Sequence, residues 1–228
     1  MTINITRHKT ILFQILKEIY TNTKISPYLG FKGGTAALLF HGLDRFSVDL
    51  DFDLIDENQS DIVFEELLKI IEKFGSVKET YKKRFSLFFM IFYEDKSRNI
   101  KIEINKRQFG SKYEIKSYLG VSMQVMLLED MVANKLLAMY ERMDDTSRDI
   151  YDVWYFLKTR SPINKAIVEN RSGQPFDEVV KRLIRNLEKF EKHRILLGLG
   201  ELLTPNQKDW ARANLIDETI SYLNLLLS

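Results

Sequence analysis

The stretch Phe31–Asp53, FKGGTAALLFHGLDRFSVDLDFD, decides the fold. It opens on the pair Gly33-Gly34 followed by Thr35 and closes on Asp49-Leu50-Asp51-Phe52-Asp53. In an extended strand alternate side chains share a face. Leu50, Phe52 and Leu54 then point to a core. Asp49, Asp51 and Asp53 point the other way, with like charges roughly 7 Å apart along the strand. Such a row is tolerated when it is solvated, protonated or bridged by a cation. Aspartate oxygens are hard ligands suited to Mg²⁺, which takes one or two protein carboxylates and fills its shell with water and substrate phosphate. A glycine turn lets backbone N–H groups approach phosphate. The pattern reads as a metal-dependent site for a nucleoside triphosphate, against the plainer alternative of a solvated strand face. Asp is disfavoured in strands, so three at alternate positions call for a reason.

Two rival motifs fail on spacing. A calcium loop beginning at Asp49 needs Gly at its sixth position and Glu at its twelfth, where this chain has Leu54 and Ser60. Neither G-x-x-x-x-G-K-[ST] nor G-x-G-x-x-G is present. What gives the glycine pair weight is its order in the chain: strand, glycine turn, short helix, acidic strand. That order sets a helix N-terminus, which favours anions, beside the carboxylates. A third carboxylate is expected if metals drive phosphoryl transfer. Glu103, in the alternating run Ile100-Lys101-Ile102-Glu103-Ile104-Asn105, is the best candidate.

Working outward, helical spacing covers Arg7–Tyr20, Thr35–His41 and Asp61–Phe74, with Gly75 as a helix stop. Strands are expected near Tyr28–Phe31, Val48–Ile55, Ser86–Tyr93, Asn99–Asn105 and Gly120–Val125, with a hairpin turn at Asp95–Asn99. From about Leu127 apolar residues recur at three and four, over 127–141, 150–157, 176–190 and 215–227. The expectation is an α+β module over 1–126 and a helical C-terminal module over 127–228, packed together for want of a Pro/Gly/Ser-rich linker.

The bulk properties bound the function. With 45% apolar residues the chain can build a core, and a net charge of +2 argues against a wholesale basic nucleic-acid binder while allowing a local basic patch. There is no Cys, which excludes disulfides and thiolate zinc sites, and three scattered His make an imidazole metal site a poor reading. The N-terminus lacks the apolar core of a signal peptide, and no apolar run is long enough to span a membrane. The expected location is cytoplasmic, with no membrane partner.

Glycine pair and Thr, S-x-D-x-D, then a strand Glu resemble the polymerase-β-type nucleotidyltransferase superfamily. Within it the chain resembles the AbiEii/AbiGii-type toxins of type IV toxin–antitoxin (abortive infection) systems. Asp130-Met-Val-Ala-Asn-Lys135-Leu-Leu-Ala138 resembles that family's K-x-x-A helix, and Arg142 followed by Arg148-Asp149-Ile-Tyr-Asp152 its R…RD-x-x-D segment. The likeness covers roughly residues 31–157. It implies a nucleotidyltransferase-type mixed β-sheet with flanking helices, Mg²⁺ as cofactor, an NTP as donor, and an acceptor hydroxyl, with tRNA or another RNA first in line and a cognate antitoxin as partner. It also implies roles. Gly33, Gly34, Thr35 and Ser47 would line the triphosphate pocket, and Asp49 and Asp51 would hold the metal. Glu103 would activate the acceptor or bind a second metal, and Lys135 would reach the phosphates. Asp149 or Asp152 would hold Lys135 or Arg148 in place, or approach the nucleotide. A phosphate on Ser47 would add negative charge beside the acids.

Other readings stay open. The same acids serve a small-molecule (antibiotic-type) nucleotidyltransferase, and a non-catalytic interaction protein could retain the fold. Solvated faces are the plain alternatives for Lys135 and for the basic run Lys181, Arg182, Arg185, Lys189, Lys192 and Arg194. Lys82-Lys83-Arg84 and Lys106-Arg107 are further candidate phosphate contacts.

Overall fold

The computed structural model describes residues 5–94, 98–142 and 147–227. The chain divides into two compact units, Met1–Met126 and Leu127–Ser228. The first is α+β. Helix α1 (Ile5–Thr21) precedes β1 (Leu29–Lys32), α2 (Gly33–His41), β2 (Leu50–Leu54) and α3 (Ser60–Ile71). Then come β3 (Ser76–Lys82), β4 (Ser86–Glu94), β5 (Arg98–Asn105), β6 (Tyr113–Tyr118) and β7 (Val121–Met126). The seven strands form one mixed sheet in the order β3-β4-β5-β2-β1-β7-β6. β2 runs antiparallel to β1 and parallel to β5, and β1 runs parallel to β7. Period-two alternation decides which side is buried. Leu50, Phe52 and Leu54 of β2, Ile100, Ile102 and Ile104 of β5, and Leu29 and Phe31 of β1 are all fully buried. They meet Leu12, Ile15, Leu16 and Ile19 of α1 and Val63, Leu67 and Ile71 of α3 in the core, each large apolar side chain contributing about 1.5–3 kcal/mol.

The predicted elements are present, with shifts of physical interest. The acidic strand is shorter than Val48–Ile55, so Asp49 precedes the ladder instead of standing in it. α3 ends at Ile71, before Gly75. A Cβ on Gly75 would lie 2.0 Å from the Phe92 carbonyl oxygen, so this glycine serves a close backbone approach and not a helix stop. β3 and β6, both at sheet edges, carry polar, mostly exposed sequences with little alternation, and the pattern search passed over them. The expected turn at 95–99 falls largely outside the described residues.

The second unit is helical: α4 (Leu128–Arg142), α5 (Arg148–Lys158), α6 (Lys165–Ser172), α7 (Phe176–Glu188) and α8 (Pro205–Leu225). Its core gathers Leu136, Ile150, Val153, Phe176, Val180, Leu183, Leu215 and Leu223. An aromatic trio, Tyr151, Trp154 and Trp210, joins α5 to α8, with the tryptophan rings 4.2 Å apart. α8 begins ten residues before its apolar repeat. Thr204 and Gln207 make a reciprocal capping box, with Pro205 in the first turn. Among the described residues no helix is long and apolar enough to cross a membrane.

Candidate active site

β2 lies between β5 and β1, and register decides what its acids meet. Asp51 pairs with Glu103 of β5 on one side and Lys32 of β1 on the other, while Asp53 pairs with Asn105 and Gly30. Side chains opposite one another share a face, so Asp51, Asp53, Glu103, Asn105 and Lys32 stand together on the side away from the packed core.

The two aspartates in the ladder have different fates. Asp53 is buried and saturated. Its Oδ1 accepts from Lys32 Nζ at 2.5 Å and Asn105 Nδ2 at 2.7 Å, and its Oδ2 from Tyr113 OH at 2.7 Å. The Tyr113 ring lies across Gly30 so closely that a Cβ there would sit 2.2 Å from Cε1. Asp51 is half-buried and has no hydrogen bond or ion pair among the described residues. The same holds for exposed Glu103, its register partner. Like charges directly opposite each other in a sheet are unfavourable, so this pair is left short of positive charge.

Gly33 brings the helix to that pair. Its φ is +77°, and a Cβ would lie 2.2 Å from Asp51 Oδ2. Only glycine allows both the turn and the approach of the carboxylate. α2 starts here with no side-chain cap at its N-terminus, leaving its first N–H groups without a side-chain acceptor. Gly34 packs on Ser47, whose Oγ would be 2.7 Å from an added Cβ.

Thr35 and Ser47 are joined to each other and to the backbone at Asp49. Thr35 Oγ1 donates to the Asp49 carbonyl at 2.5 Å and lies 3.0 Å from Ser47 Oγ. Both residues are buried. They border a cavity of about 360 Å³ between α1 and α2, whose lining includes Lys9, Leu12, Phe13 and Tyr118 but none of the acids. They fix the backbone that carries Asp49. Modification of Ser47 would require this loop to open.

His8 completes the support. It is buried in α1, with Nε2 3.0 Å from the Val48 carbonyl and Nδ1 2.7 Å from Tyr93 OH. A carbonyl can only accept, so Nε2 carries the proton and the tyrosine donates to Nδ1.

The expected triad Asp49, Asp51 and Glu103 is not drawn into a closed cage: among the described residues no group of three His, Asp or Glu is spaced to hold a metal. The separation follows from Asp49 lying ahead of the strand and Glu103 being one strand away. An ion here would take one or two protein carboxylates, and that suits Mg²⁺ better than a cation needing an all-protein shell. The Asp51–Glu103 pair meets no protein cation among the described residues and Asp53 is saturated, so Asp51 is the acid whose surroundings suit such an ion.

In the second unit the buried acids are each matched. Asp152, fully buried, holds Lys135 Nζ at 2.7 Å. Asp149, also buried, takes Arg142 Nε at 2.8 Å rather than serving Lys135. Arg148 opens α5, half-buried. Asp130 accepts from Asn164 Nδ2 at 2.6 Å. Of the basic run 181–194, Lys181 meets Glu178, Arg182 the Tyr140 hydroxyl and Lys192 Asp217.

A sequence model of the AbiEii nucleotidyl transferase toxin, type IV toxin–antitoxin system, matches residues 14–217. The chain belongs to this family. Two solved Helicobacter pylori structures share the AbiEii-family chain's fold. JHP933 superposes with a TM-score of 0.62 at 19% identity, over 99% of this chain and 93% of that one. A second, solved as a candidate nucleotidyltransferase, gives 0.61 at 19%, over 99% of both chains. No curated protein matches the sequence. The AbiEii-type chain is thus a nucleotidyltransferase with the mixed sheet and helical C-terminal region its motifs implied. Lys32, Asn105, Tyr113 and His8 escaped the motif reading of its site. Only Asn105 carried a signal, as the last polar residue on the Glu103 face.

Proposed function

We propose that the protein transfers a nucleotidyl group from an NTP, in a Mg²⁺-dependent reaction, to an acceptor hydroxyl on tRNA. Growth would thereby be inhibited until a cognate antitoxin intervenes. The observation that supports this is the Asp51–Glu103 pair, in register, without a hydrogen-bond or ion-pair partner among the described residues, against the Gly33 start of α2.

Asp49 and Asp51 would hold Mg²⁺, which supplies charge neutralisation for the triphosphate and the departing pyrophosphate. The chain's own residues do the rest. The uncapped N–H groups at Gly33 and Gly34 receive phosphate oxygens. Thr35 and His8, through the Asp49 and Val48 carbonyls, hold Asp49 in place. Glu103 accepts the proton of the acceptor hydroxyl as its oxygen bonds the α-phosphorus and the α–β bridging P–O bond breaks. In the second unit Lys135, steadied by Asp152, is a cation suited to phosphate. Positioning and electrostatics carry the catalysis.

The test is incubation with α-labelled NTPs, Mg²⁺ and total tRNA, with chelator and Asp51→Asn as controls. Label on tRNA that disappears in both controls is expected. NTP binding with no transfer to any RNA would overturn the reading, and label on a small hydroxylated acceptor alone would replace the tRNA assignment.

A further inference from the structure

One transverse row crosses the first unit's open sheet face. Tyr81, Phe88, Glu103, Asp51 and Lys32 are successive register partners on β3, β4, β5, β2 and β1. The acids therefore continue sideways into aromatic surface. The Tyr81 and Phe88 rings stack with centroids 4.6 Å apart and planes 6° from parallel.

At the end of β3 and β4 this surface turns basic. Residues 83–85 link the two strands, and Lys83 Nζ lies 4.3 Å above the Tyr81 ring. Phe85 is 49% exposed. The Arg84 and Arg107 guanidiniums lie 4.9 and 5.7 Å from its centroid, and Arg107 also sits 5.3 Å from Phe109. Neighbouring cations are engaged. Lys82 bonds Asp61, holding that carboxyl below its ordinary range, and Lys106 faces Glu57 at 3.7 Å. Lys83, Arg84 and Arg107 are exposed and have no acidic partner among the described residues. Arg107 is tied to the acid face itself. Its Nε donates to Asn105 Oδ1 at 3.3 Å, and Asn105 Nδ2 donates to Asp53.

An exposed aromatic face ringed by unneutralised guanidinium and ammonium groups is the chemistry that binds single-stranded nucleic acid: bases stack on rings, and phosphates take the charges. We propose that this corner is where a single-stranded segment of the RNA acceptor docks, one base on Phe85 and its phosphates on Lys83, Arg84 and Arg107, with the Tyr81–Phe88 pair leading toward Glu103. The proposal rests on the nucleotidyl-transfer reading for the nature of the acceptor. A duplex would hide its base faces from Phe85, so the single strand is the form that fits.

The experiment measures anisotropy of a fluorescein-labelled single-stranded RNA oligonucleotide against salt, with the full chain. Wild type is expected to bind with a log K against log salt slope of about −2, from three phosphate contacts at about 0.7 each. Phe85→Ala should weaken binding by ~10-fold with the slope kept, Phe85→Trp should retain it, and Arg84→Glu with Arg107→Glu should flatten the slope. Wild-type affinity and slope in both Phe85→Ala and the Arg84→Glu with Arg107→Glu variant, or no binding of the RNA by wild type, overturns the proposal. Labelled-NTP transfer separates the two levels. If RNA binds through this corner and nothing is transferred, the transfer reading falls and the docking surface stands. If transfer at sub-saturating RNA is equal in wild type and the corner variants, the docking surface falls and transfer stands.

Discussion

The ammonium of Lys32 lies 2.5 Å from Asp53, not on Asp51, its own partner across the β1–β2 ladder. One cation has thus been assigned within a row of acids, and the acid it leaves is the one beside Gly33. A structural role falls to one aspartate and the proposed chemistry to the other, a single pleat apart.

That division predicts opposite phenotypes. Asp51→Asn removes a like charge facing Glu103 and breaks no hydrogen bond or ion pair among the described residues. Urea denaturation should find it as stable as wild type or more so, by up to about 1 kcal/mol, while nucleotidyl transfer falls by ~10²-fold or more.

Asp53→Asn should do the reverse in rank. It strands Lys32 and sets an amide against donors from Asn105 and Tyr113. The expected loss of stability is about 3 kcal/mol, read from the denaturation midpoint.

Lys135 and Asp152 offer a coupling measurement. Asp152→Leu or Lys135→Met alone breaks a pair whose carboxylate is fully buried and should cost about 3–5 kcal/mol. Lys135→Met with Asp152→Leu removes both charges of the pair. It should cost less than the sum of the two single changes, as a double-mutant cycle would read.

His41 gives a pH signature. Burial, aided by Lys116, lowers its pKa from 6.5 to about 4. Folded, the ring stays neutral; unfolded, it takes up a proton below its ordinary value. The stability it confers is therefore whole above pH 6.5 and is lost as pH falls toward 4. His41→Asn should flatten that part of the stability profile, and NMR titration of the imidazole should report the lowered value directly.

Much of this was legible because it is periodic. Alternation in β2 and β5 gave the buried isoleucines and the acid face, and the Gly33 turn gave the helix that meets it. Register was not legible. No local pattern says that residue 51 stands opposite 103, or that Tyr113 will cross Gly30, since those choices are made by packing over long sequence separations. Hence Asp53, inseparable from Asp51 by spacing, proved to be tied down, whereas Asp51 has no hydrogen bond or ion pair among the described residues. The family resemblance sets Thr35 and Ser47 at the triphosphate, and no local pattern announces the bonds their hydroxyls make to the Asp49 carbonyl and to each other.

The crossing of Gly30 by Tyr113 has a consequence in time. The acid face joins β1, β2 and β5, and the tyrosine that locks Asp53 arrives on β6, 60 residues later in the chain. Pairings so distant in sequence form late and together. A polypeptide still emerging from the ribosome short of that hairpin holds its aspartates on an unfinished sheet. On the proposed reading, nucleotidyl transfer would wait for the β6–β7 hairpin to join the sheet.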